Sequence, residues 1–147
     1  MTVDKVLYFA YGSNMNFNQM KERCPGSRFI SKGYLEGFEF VFDGYSKRRN
    51  GAVANVIKKE GSLVEGGIYE VTASDIKELD MYEGCPNTYL RCELAVRDQS
   101  NKPIKAFVYC RLPQPIGSPS EEYRNTILCG AKDCGLSNEY IHKYLKK

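Results

Sequence analysis

Hydrophobic residues first gather in an unbroken block from Val6 to Ala10, the pattern of a strand covered on both faces. A short helix follows over Asn16 to Arg23, ended by Cys24-Pro25-Gly26. Between Phe29 and Asp43 the glycines at 33 and 37 interrupt the run, but Phe38, Phe40 and Phe42 alternate with Glu39 and Val41 at a strand period. Ala52 to Ile57 and Leu63 to Val71 read as two further strands, with Lys58-Lys59-Glu60-Gly61 as a hairpin turn between them. The period then changes. From Ser74 to Gly84 the spacing predicts a helix, capped by Thr72 or Ser74 and stopped by Gly84 in a left-handed conformation. Cys92, Leu94 and Val96 set against Arg91, Glu93 and Arg97 describe a half-exposed strand, which continues as Ile104 to Arg111 across the turn at Gln99 to Pro103. Ser118-Pro119-Ser120-Glu121 reads as a capping box with proline at the first helical position, opening a helix that ends near Gly135. A last helix, capped by Ser137, turns Ile141, Tyr144 and Leu145 inward. Strands, helix, strands and helices in that order suit an α+β domain with a mainly antiparallel sheet or a partly closed barrel.

The chain has 147 residues, 42% of them hydrophobic, enough for one ordinary core, so residues 1–147 read as one domain. Its charge of +3 comes from 21 basic and 18 acidic residues interleaved along the chain, which gives no footprint for nucleic acid or a membrane surface. Lys47-Arg48-Arg49, the one short basic cluster, reads as a solvated loop. The N-terminus carries no apolar leader pattern and no run is long enough to span a membrane, so the expected location is cytoplasmic. Six cysteines without a CxxC pair and a single histidine, His142, do not assemble a metal site. Reduced, buried or half-buried thiols are expected, with a redox role for Cys85 in its turn left open. A homodimer is also left open.

Three candidates for chemistry stand out. On the helix from Ser74, Ile76, Leu79 and Glu83 share one face, which places a carboxylate on the core stripe. Desolvation and the negative end of the helix would both raise its pKa, as a general base near neutrality requires. Periodicity alone also allows Glu83 to turn to the edge of the helix end. Asp80, one turn earlier, competes for the role but can pair with Arg91, leaving Glu83 without a permanent cation. Tyr123 falls in a stripe with Ile127, Gly130, Ala131 and Cys134, so its ring faces inward and its hydroxyl needs a partner, in the core or in a pocket. Gly12-Ser13-Asn14, after two aromatics, is either a turn or a ligand cradle. It lacks the surrounding pattern of a phosphate loop.

YFAYGSNM, LDMYEG with Tyr89 and Arg91 after it, and PSEEYRNTILCGAKDCGL together resemble the gamma-glutamylcyclotransferase family, in the same order from about Leu7 to Leu145. The resemblance implies an α+β fold, a small mixed, mainly antiparallel β-barrel with flanking helices. It implies cyclisation of a gamma-glutamyl group to 5-oxoproline with release of an amino acid or amine, without metal, nucleotide or other cofactor. Carried over, Glu83 is the catalytic acid/base, the substrate loop is Tyr8, Phe9, Ala10, Tyr11, Gly12 and Ser13, and Tyr123 assists. Gly12 would let the backbone approach a ligand, and N–H groups around Tyr11, Gly12 and Ser13 would surround its α-carboxylate. Asn14 would hold the loop in shape through its own backbone. A gamma-glutamylamine or a biosynthetic gamma-glutamyl conjugate as substrate, and a non-catalytic sensor of an amino-acid-like ligand, are the alternatives. Glutathione and free gamma-glutamyl amino acids are equally open. The surface that decides is expected at Lys47 to Asn50 or Pro113 to Ser118.

Overall fold

Two long strands carry most of the sheet in the computed structural model, which describes residues 5–146. The ends of the expected 1–147 domain, residues 1–4 and 147, lie outside the described residues. Strand β1 (Lys5–Ala10) is antiparallel to the second half of β3 (Gly51–Thr72), from Lys5 opposite Thr72 to Ala10 opposite Gly67. Only its last residues are covered: Tyr8, Phe9 and Ala10 are buried, whereas Lys5 and Val6 are exposed.

β2 (Arg28–Ser46) runs antiparallel to the whole of β3. The hairpin turn therefore lies at Lys47–Asn50, where Asn50 takes a left-handed φ of 56° and Ser46 faces Gly51. The expected turn at Lys58 to Gly61 does not form, and residues 52 to 71 belong to one bent strand. Lys58 pairs with Phe38 and Leu63 with Glu36, so the intervening residues bulge outward at Gly61, with φ of 83°. The polarity of Lys58-Lys59-Glu60 marks an exposed bend instead of a chain reversal, since both limbs keep the same partner strand.

β4 (Leu90–Asp98) and β5 (Pro103–Cys110) form the predicted hairpin. β4 joins β2 through Gly33 opposite Asp98 and Tyr34 opposite Arg97, and β5 meets β1 in parallel at Tyr8 opposite Phe107. The sheet thus closes as a five-stranded mixed barrel in the order β1-β3-β2-β4-β5. That is the barrel the resemblance implies.

Helices cover its ends. Asn16 caps α1 (Phe17–Arg23) by accepting from the Gln19 N–H. Thr72 and Asp75 form a reciprocal capping box on α2 (Ala73–Glu83), and Gly84 ends it in the left-handed conformation with φ of 67°. α3 (Glu121–Cys134) starts later than its sequence suggests. Its cap is Ser120, whose hydroxyl accepts from Tyr123 N–H, and Pro119 precedes the helix. The cause is β3, where Ala52 N–H donates to the Ser118 carbonyl at 3.0 Å and holds the chain extended up to that point. Gly135 stops α3, and Ser137 caps α4 (Asn138–Tyr140), which continues as a single π turn through Leu145. Ile141 and Leu145 are buried and Tyr144 is half-buried.

The α3 stripe faces inward as its spacing predicts, with Tyr123, Ile127, Gly130, Ala131 and Cys134 all buried. Gly130 is required by contact. A Cβ there would meet the Met15 carbonyl carbon at 2.6 Å, so α3 rests directly on the backbone that leads into α1. Phe9, Met15, Leu35, Ile68, Leu79 and Ile127 fill the centre.

Candidate active site

Capping geometry fixes Glu83. It is the last residue of α2, one turn beyond the fully buried Leu79 and directly before the left-handed Gly84, so its side chain follows the inward stripe. The carboxyl reaches a cavity of about 350 Å³ between α2, the loop after β1, the 47–50 hairpin and α3. Tyr8, Tyr11, Gly12, Ser13, Glu83 and Tyr123 all line this cavity. Phe9 and Ala10 do not: Phe9 is fully buried in the core, and Ala10 pairs with Gly67 within the ladder.

Burial raises the Glu83 pKa above the ordinary carboxylate value, and it outweighs the opposing fields of Arg23, Arg48, Arg49 and Arg111. Asp80 pairs with Arg91 as expected and also accepts from the Tyr109 hydroxyl at 2.6 Å. As expected, no cation forms an ion pair with Glu83 among the described residues, but those four guanidiniums lie near enough for their fields to act on it. Long side chains from α1, the hairpin and the end of β5 converge on the carboxyl from positions far apart in the chain.

Asn14 is the hub of the loop. Its amide nitrogen donates to the Tyr8 hydroxyl at 3.0 Å and reaches Glu83 Oε1 at 3.5 Å. Its amide oxygen accepts from Gln19 Nε2 and Arg23 Nη1, each at 3.0 Å. Asn14 does shape the loop, through these side chains and not through its own backbone. Ser13 Oγ accepts from Gln19 Nε2 at 2.8 Å and from Arg49 Nη2 at 3.4 Å. Gly12 fits where a Cβ would lie 3.1 Å from Ala54 Cβ and 3.8 Å from the Tyr123 hydroxyl, so the loop sits hard against β3.

Opposite the loop, two tyrosines take the free edge of one residue. Ala54 N–H donates to the Tyr123 hydroxyl oxygen at 3.0 Å, and the Tyr89 hydroxyl donates to the Ala54 carbonyl at 2.6 Å. Tyr123 thereby keeps its own proton available for donation into the cavity. Burial pushes its pKa up to about 12, so it stays a neutral donor. Arg111 lies 4.7 Å from the Tyr89 ring centroid and forms a buried ion pair with Asp43. Asn55 Nδ2 donates to the same carboxylate at 3.2 Å.

Tyr89, Arg23 and Arg111 were not among the expected site residues, whereas Arg48 and Arg49 lie in the Lys47 to Asn50 stretch expected beyond the scissile amide. Asn55, polar within the apolar run Ala52 to Ile57, was the one local sign of a buried polar network nearby. Among the described residues no group of three His, Cys, Asp or Glu side chains is placed to hold a metal ion.

The closed five-stranded mixed barrel with flanking helices is the fold of the gamma-glutamylcyclotransferase-like class. A model described as the AIG2-like family matches residues 63–144. Gamma-glutamylcyclotransferase of Mus musculus is 32% identical over 142 residues, covering 93% of this chain and 76% of its own length. The Homo sapiens protein of the same name is 30% identical over 145 residues, covering 95% of this chain and 77% of its own. A solved structure titled gamma-glutamyl cyclotransferase superposes with a TM-score of 0.90 at 30% identity, over 95% of this chain and 86% of that one. The chain belongs to the AIG2-like gamma-glutamylcyclotransferase family.

Proposed function

We propose that this protein is a gamma-glutamylcyclotransferase that uses Glu83 as its acid/base. One observation carries the reading: the raised-pKa carboxyl of Glu83 shares a cavity with Gly12, Ser13 and the Tyr123 hydroxyl. The substrate's α-carboxylate lies against the Gly12-Ser13 loop, where consecutive backbone N–H groups can surround an anion. The γ-carbonyl then faces Tyr123.

Glu83 takes a proton from the α-ammonium, and the freed amine attacks the γ-amide carbon to close a five-membered ring. The intermediate's oxyanion accepts from Tyr123. As the carbon–nitrogen bond to the leaving group breaks, Glu83 returns a proton to the departing nitrogen. The leaving group carries away the hydrogens that the ring nitrogen gives up, so no water enters the balance. Because nucleophile and carbonyl belong to one molecule, positioning supplies much of the acceleration. Small gamma-glutamyl compounds in the cytoplasm, with glutathione metabolism as the setting, belong to the same proposal.

Purified protein incubated with gamma-glutamyl dipeptides, with mass detection of 5-oxoproline, tests it. Product is expected from the natural sequence and none from Glu83→Gln. Ordinary turnover by Glu83→Gln removes Glu83 from the reaction, and tight ligand binding without product favours a sensor.

A further inference from the structure

Charge in the cavity exceeds what a gamma-glutamyl unit can answer. Arg23, Arg48, Arg49 and Arg111 border it against the single carboxylate of Glu83. The buried ion pair with Asp43 neutralises Arg111. Three cations then face one acid, whereas the glutamyl ammonium and α-carboxylate cancel each other. A substrate with one more negative charge fits this field better than a neutral conjugate does.

The guanidiniums differ in how far they are already engaged. Arg23 donates to Asn14 and lies 4.2 Å from the Tyr82 ring centroid. Arg49 donates to Ser13 and Gln19 and lies 5.0 Å from the Tyr123 ring centroid, on the side of the loop. Arg48 makes only a long bond of 3.4 Å, from Nη2 to the Tyr82 carbonyl. That contact holds the exposed tip of the hairpin against the residue before Glu83 and leaves most of the guanidinium fork open to the cavity mouth.

Resting on the cyclisation proposed above, we propose that Arg48 is a specificity-determining residue that pairs with the α-carboxylate of the leaving amino acid. In such a substrate this carboxylate is one carbon away from the scissile nitrogen. It must therefore lie close to the group that returns the proton, and Arg48 is anchored next to Glu83. A guanidinium matches a carboxylate with two parallel N–H donors, which a neutral amine or amide cannot accept in the same way.

The experiment compares gamma-glutamyl-alanine with gamma-glutamyl-alaninamide, which differ only in that carboxylate, using kcat/KM in the natural sequence, Arg48→Gln and Lys47→Gln. The natural sequence is expected to favour the acid by about tenfold, the ratio set by one charge-assisted contact. Arg48→Gln should lose that preference mainly by slowing the acid, while Lys47→Gln keeps it. Equal rates on both substrates in the natural sequence, or a preference that survives Arg48→Gln, overturn the assignment. Absence of 5-oxoproline from both substrates with the natural sequence overturns the cyclisation reading itself, so the two failures are told apart.

Discussion

Glu83 is held between desolvation, which favours its proton, and surrounding arginines, which favour its charge; desolvation prevails. The folded carboxyl therefore binds its proton more tightly than the unfolded one. This contribution to stability is fully present below the unfolded value of about 4.3 and is lost as pH rises through the folded pKa. Glu83→Gln is expected to raise Tm at neutral pH, and its advantage should shrink as the pH falls through the folded value. A Tm difference that is constant from acid to neutral pH in scanning calorimetry would contradict this. Tyr123→Phe removes the acceptor of Ala54 N–H and the donor to the proposed oxyanion. Stability in urea should fall by about 1–3 kcal/mol, and kcat by about a hundredfold; an unchanged kcat makes the hydroxyl purely structural. Glu83 was legible because three- and four-residue spacing and a following glycine fix where the end of a helix points. Arg23 and Arg111 were not, since the destination of a long side chain depends on where tertiary structure sets its backbone.

Among the elements, helix caps and buried stripes were read correctly where the signal was local. Thr72, Gly84, Gly135 and Ser137 each act at the end their residue type suggests. The polar bend at Lys58 to Gly61 misled because solvent exposure and chain reversal leave the same composition, and only the register with β2 separates them. Gly130→Ala would drive α3 off the backbone at Met15. It is expected to cost about 1–3 kcal/mol in urea unfolding and to raise KM, because the displaced segment leads directly from the Gly12-Ser13 loop. The β4–β5 hairpin brings Cys92 Sγ within 3.2 Å of Cys110 Sγ. Hydrogen peroxide is expected to join them, two thiols yielding one disulfide and two waters, with a mass loss of roughly 2 Da. Peptide mapping should show Cys92 linked to Cys110; oxidation confined to the exposed Cys129 would refute it.

For the whole molecule, periodicity supplied the strands but not their partners. Closure depends on the parallel meeting of Tyr8 with Phe107, which no local pattern announces. Near the cavity, Asp43 on β2, Asn55 on β3 and Arg111 after β5 tie the wall together by polar contacts, with Gln114 N–H also donating to Asp43 at 3.1 Å. Asp43→Ala strands a buried guanidinium and is expected to cost about 3–5 kcal/mol, measured in urea, with Asp43→Ala/Arg111→Met recovering much of the loss. At Ala54 the barrel gives up a neighbouring strand and accepts two phenols in its place. A strand edge offers a fixed sequence of amides, but a phenol can swivel its hydrogen about a single bond. The wall of this cleft can thus exchange a lone pair for a proton, following a ligand's changing charge, while every backbone atom stays where it is.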